Sequence, residues 1–97
     1  MNVLVVDDGK TLRGYDCREV LNVEEIEVTG DMATSDRFLV RLGRTGSRKE
    51  IRCREVLGFF PLSAREIRPV PPVLRERMTG EIPWAVGVTA RGLCLLF

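Results

Sequence analysis

The string CREVL stands at residues 17–21 and again, unaltered, at 53–57. With ordinary residue usage, roughly one chain in a few hundred of this size repeats five letters by chance, so the string marks a duplicated structural unit. The likeness extends outward from it. VLVVDDGKTLRGYDCREVL (3–21) and FLVRLGRTGSRKEIRCREVL (38–57) each run from an apolar stretch through a Gly-containing polar turn to a charged return segment and the shared string, with one added residue in the second copy. Each copy reads as a β-hairpin. Asp8-Gly9 is a favoured turn pair in the first, and Gly43 with Gly46 takes the same part in the second. Alternation in the return strands places Cys17, Glu19 and Leu21 on one side, with Cys53, Glu55 and Leu57 matching. A Glu cannot enter a dry core, so these strands lie at a rim or bend there. NVEEIEV (22–28) alternates imperfectly, as a half-exposed strand does.

After the second copy the five prolines, Pro61, Pro69, Pro71, Pro72 and Pro83, punctuate a connecting stretch that excludes long helices. Ser63 with Glu66 forms a candidate capping box over SAREI, and VLRERM (73–78) can turn once after Pro72. WAVGVTARGLCLLF is apolar, then a Thr-Ala-Arg-Gly turn, then apolar again, which predicts a third hairpin.

A chain of 97 residues with 44% hydrophobic content closes one small core region. Its apolar runs fall far short of the ~20 residues that cross a bilayer, and Met1-Asn2 offers no basic start for a signal peptide. A cytoplasmic location without membrane insertion is the expectation. The charges are polarised: residues 1–35 carry eight acids and three bases, residues 36–77 eleven bases and five acids. The acidic first third repels a phosphate backbone and aromatics are scarce, so packing of the two segments on each other, or docking to a protein, fits better than nucleic-acid binding.

Chemistry-bearing patterns are few. VLVVDD (3–8) resembles the opening of a receiver domain, but the last aspartate is Asp36 and the last lysine Lys49, which leaves no phosphoacceptor or later-strand lysine; Asp7-Asp8-Gly9-Lys10 reads as a hairpin tip. Gly9-Lys10-Thr11 lacks the leading glycine of a phosphate loop. Three cysteines without a C-x-x-C pair, and no histidine, indicate neither disulfides nor zinc. Cys17, Cys53 and Cys94 read as small core hydrophobes. Glu24, Glu25 and Glu27 read as a solvated strand rather than a metal cluster. No cofactor, no metal and no enzymatic activity are expected, since no general base or activated nucleophile is recognisable.

The hairpin leading into REVL, then AREIRPVPPVL (64–74), then IPWAVGVTARGLCLLF (82–97) resembles the CheW-like coupling domain of bacterial chemotaxis. The resemblance implies an all-β fold of SH3-like barrels: one full barrel plus an incomplete related hairpin unit, because the first copy lacks the P-x-x-V-x-G-V segment. Residues 1–97 then form a single domain, with 1–35 a partial first repeat and 36–97 a more complete second, a short or degenerate member. It also implies a non-catalytic adaptor that binds the regulatory domain of a chemotaxis-type histidine kinase, with a chemoreceptor as a second partner. Candidate interaction residues fall on the last hairpin, where Gly87 and Gly92 permit close backbone approach and Arg91 offers a planar donor fork to a carboxylate. Arg91 is alternatively a solvated turn residue. Phe59 and Phe60, with Leu57, either fill the core or form a docking patch, and Trp84 either anchors the barrel or sits at an interface. Two other readings stay open: a homo-oligomeric (homodimeric) β-barrel interaction protein, and a nucleic-acid-binding β-barrel.

Overall fold

The computed structural model of the chain describes residues 1–26, 36–44 and 46–97. Among these residues nine strands carry the fold: β1 (Asn2–Asp7), β2 (Leu12–Asp16), β3 (Val20–Glu25), β4 (Phe38–Arg44), β5 (Ser47–Cys53), β6 (Glu55–Pro61), β7 (Ile67–Arg68), β8 (Ala85–Thr89) and β9 (Gly92–Leu96). One short helix, α1 (Pro72–Arg77), begins on a proline at its first turn, where the missing N–H costs nothing. No helix among the described residues is long and apolar enough to cross a membrane. All three expected hairpins form: β1 with β2, β4 with β5, β8 with β9. The first is closed by Asp8, whose carboxylate accepts the N–H groups of Lys10 and Thr11, both at 2.8 Å. Val28, at the end of the strand expected over 22–28, and Glu27, one of the three clustered acids, lie outside the described residues.

A shift of 36 positions, the distance from one CREVL to the next, superposes the two halves in register. The β1/β2 pair Leu4 with Tyr15 becomes the β4/β5 pair Val40 with Ile51. The halves exchange their third strands: β6 of the second pairs with β1 of the first, and β3 of the first pairs with β4 of the second. Here too the register is shared, Val5 facing Gly58 as Arg41 faces Asn22, and each ladder slips by one residue at the same place. The skipped residue is Leu57 in one ladder and Leu21 in the other, the last letter of each CREVL. The string recurs because both halves need a corner followed by a bulge.

The two three-stranded units meet face to face. Leu4, Val6 and Tyr15 of the first bury against their shifted counterparts Val40, Leu42 and Ile51, with Cys53 and Phe97 completing this core. Against the single core expected from length, a second core forms on the other face of β1, where Val3 and Val5 pack with Leu62, Ala85, Cys94 and Leu96, because β1 is covered on both sides. The VLVV run is therefore buried on both faces, which is why it lacks alternation; each valine contributes about 1.5–3 kcal/mol. The six-stranded sheet runs β6-β1-β2-β9-β8-β7, with β9 parallel to β2; the other sheet is β3-β4-β5. Close approach inside the second core requires glycine. A Cβ on Gly14 would stand 2.7 Å from Leu96, and one on Gly87 2.9 Å from Leu62 and 3.0 Å from the Cys94 sulfur.

Some local expectations are corrected. Residues 17–19 form a 3₁₀ turn, whereas Cys53 ends β5 and Arg54 bends into β6, so only the second copy carries strand through its cysteine. The residue before each string explains this. The Asp16 carboxylate accepts the Arg18 N–H at 3.0 Å and pairs with its guanidinium at 2.7 Å, which holds the Asp16 carboxyl below its ordinary value; the second copy has Arg52 there, which cannot cap. Gly43 lies within β4 under the Leu21 side chain, and the turn glycine is Gly46 alone, at φ 80°. The Ser63 to Glu66 cap holds: Glu66 Oε1 accepts the Ser63 N–H at 2.8 Å around a 3₁₀ turn. Cys53 and Cys94 are buried, and Cys17 is half-buried.

Candidate protein-docking surface

The last hairpin is tied at its tip by Thr89, whose hydroxyl donates to the Gly92 carbonyl at 2.7 Å and accepts the Arg91 N–H at 3.2 Å. Arg91 is exposed on that turn, and Gly92 holds φ 118°. The hairpin has two unlike faces. Gly87 looks inward at Leu62 and Cys94, so its close approach is to the second core rather than to the surface. On the opposite face Trp84 and Leu93 are 52% and 65% exposed, beside half-buried Val86 and Val88. Leu93 is the member of this group that sequence reading passed over; its alternation with buried Cys94 was the available signal. Arg68 of β7 pairs with Val86, and residues 82–97 hold no acidic side chain. An apolar face with a cationic margin results.

Phe59 and Phe60 lie elsewhere, on β6, four strands from β8 in the sheet order. Alternation splits them: Phe60 packs against the second core, while Phe59 is 60% exposed. The structure thus brings Trp84, Arg91 and Gly92 onto one hairpin and leaves Phe59 and Phe60 apart from it.

Between the hairpin and β2, Arg13 stacks over the Phe97 ring at 4.1 Å and approaches Tyr15 at 5.9 Å. It lines a cleft of about 460 Å³ together with Asp8, Met78, Glu81 and Leu95. Glu81 bridges Arg13 at 3.8 Å and Arg44 at 3.9 Å and also pairs with Lys49. Arg44 binds Glu19 at 3.0 Å, and Arg41 reaches Glu24 at 2.7 Å and Glu50 at 3.3 Å. Acids of the first third and bases of the middle third are therefore partners, as the charge asymmetry predicts. Burial pushes the Cys53 thiol up to about 11 and raises that of Cys94; neither is a poised nucleophile. Among the described residues no group of three potential metal ligands gathers.

These features, a six-stranded and a three-stranded sheet enclosing two cores that share β1, define an all-β, SH3-like fold of the CheW-like type. The chain is similar in structure to the scaffolding protein TtCheW from Thermoanaerobacter tengcongensis, with a TM-score of 0.71 over 98% of this chain and 86% of that one, at 13% identity. No family model matches the sequence, and no curated protein matches it. The likeness resides in the fold.

Proposed function

We propose that the chain is a non-catalytic adaptor of chemotaxis-type signalling in the bacterial cytoplasm, docking the regulatory domain of a chemotaxis-type histidine kinase, with a chemoreceptor as a second partner. The observation that carries this reading is the structural similarity to a CheW scaffold, which extends over 98% of this chain. The exposed apolar face of the last hairpin supports it, since Trp and Arg are residue types enriched where proteins anchor each other. In this reading residues 1–35 and 36–97 are the partial and the fuller repeat of one domain, and the exchange of β3 and β6 supports two related units. Arg91, Gly92 and Trp84 form the contact, Gly87 shapes the hairpin from within, Phe59 belongs to a separate surface, and Phe60 packs inward against the second core. A nucleic-acid role has less support, because Arg41, Arg44 and Lys49 are held by carboxylates.

The test is calorimetric titration with the purified regulatory domain of a chemotaxis-type histidine kinase from the same organism. Saturable binding is expected, weakened at least about tenfold by Trp84→Ala or Arg91→Glu. Absence of binding by the folded wild-type chain would overturn the proposal.

A further inference from the structure

Because the halves share one register, each edge in the first has a counterpart in the second. The outer edge of β2 is covered by β9 in parallel. Its counterpart, the outer edge of β5, ends the three-stranded sheet, as does β3 on the other side. Among the described residues no strand pairs with either edge, and the two carry opposite net charge. Along β3 stand Glu24 and Glu25; along β5 stand Arg48, Lys49 and Arg52, with Glu50 among them engaged by Arg41 of the same sheet, all four exposed. Glu24 and Lys49 have partners within the chain. Glu25, Arg48 and Arg52 make no ion pair with the described residues. β3 also exposes Leu21 at 56% and Val23 at 40%.

Charged edges keep strands apart when like meets like, and that protection holds here for β3 against β3 or β5 against β5. It fails for β3 against β5, where acid meets base. By contrast β7 is only two residues long and is followed by Pro69, Pro71 and Pro72, which blunts that edge.

We propose that β5 receives β3 of a second copy of this chain, extending the three-stranded sheet head to tail. Antiparallel backbone hydrogen bonds supply the pairing, which turns the Val23 and Glu25 face of one copy to the same side as the Arg48 and Arg52 face of the next, so Glu25 meets Arg48 and Arg52 and Val23 is covered by their aliphatic stems. The two surfaces differ, so association continues past the dimer into a ring or an open row. This surface is distinct from the last hairpin, and the proposal stands independently of the kinase partner.

Sedimentation velocity across a concentration series at low salt tests it. Wild type is expected to show species beyond dimer that dissociate in about 0.5 M salt. Arg48→Glu/Arg52→Glu and Glu25→Lys variants, each folded by circular dichroism, are each expected to associate at least about tenfold more weakly. Arg48→Lys/Arg52→Lys retains association. Mixing the two charge-reversed variants restores it, because the reversed edges complement each other. A wild type that stays monomeric at low salt, variants that associate as wild type does, or a mixture that stays dissociated would each overturn the proposal.

Discussion

Among the described residues Tyr15 is the largest fully buried side chain, stacked on Phe97 at 6.1 Å, and its hydroxyl has no hydrogen-bond partner among them. A buried polar group left unpaired is destabilising by about 1–3 kcal/mol, so Tyr15→Phe should raise the urea midpoint, with a gain of about 1 kcal/mol, while keeping the stack. Burial also pushes the phenol up to about 12. The folded protein therefore disfavours the phenolate: this contribution to stability is complete below the ordinary tyrosine value of about 10 and is lost as pH rises from there toward 12. Ultraviolet titration should show no phenolate in native protein at pH values where unfolded chain has already ionised, and stability measured by denaturant should fall across that window. At Gly87 the opposite constraint operates. Gly87→Ala forces a methyl against Leu62 and Cys94 and should lower stability by about 1–3 kcal/mol, read as a shift in denaturation midpoint with unchanged slope.

Equivalent strands have unlike surroundings, and the residues record it. Shifted by 36, Val5 becomes Arg41, Leu12 becomes Arg48 and Gly14 becomes Glu50. In the first half this outer face is roofed by β8 and β9; in the second it is an exposed ladder in which Arg41 joins Glu24 and Glu50. Glu50 would also obstruct the close crossing that Gly14 allows beneath Leu96, so the second half cannot admit a hairpin in the same way. Val5→Arg should therefore abolish folding or cost more than about 4 kcal/mol, whereas Arg41→Val should cost no more than about 1 kcal/mol. Paired denaturation curves check this asymmetry, and equal losses would refute the inequivalence of the two faces.

At the scale of the molecule, the two cores are bound together by β1, which gives Leu4 and Val6 to one and Val3 and Val5 to the other. Neither core closes without β1. Unfolding should therefore be a single transition, coincident by far-ultraviolet circular dichroism and by Trp84 fluorescence; two separated transitions would show that the two cores unfold independently. Alternation and turn chemistry predicted the hairpins, the Pro72 helix start and the Ser63 cap because these are local: neighbouring residues along the chain settle them. The repeated pentapeptide announced a duplicated unit for the same reason. The exchange of β3 and β6 between halves, the parallel seating of β9 on β2, and the separation of Phe59 from the last hairpin were decided by tertiary structure. Sequence pattern specifies which face of a strand is apolar, but strand partners are chosen by burial across the whole chain, and only packing determines which apolar residues are left for another protein to cover.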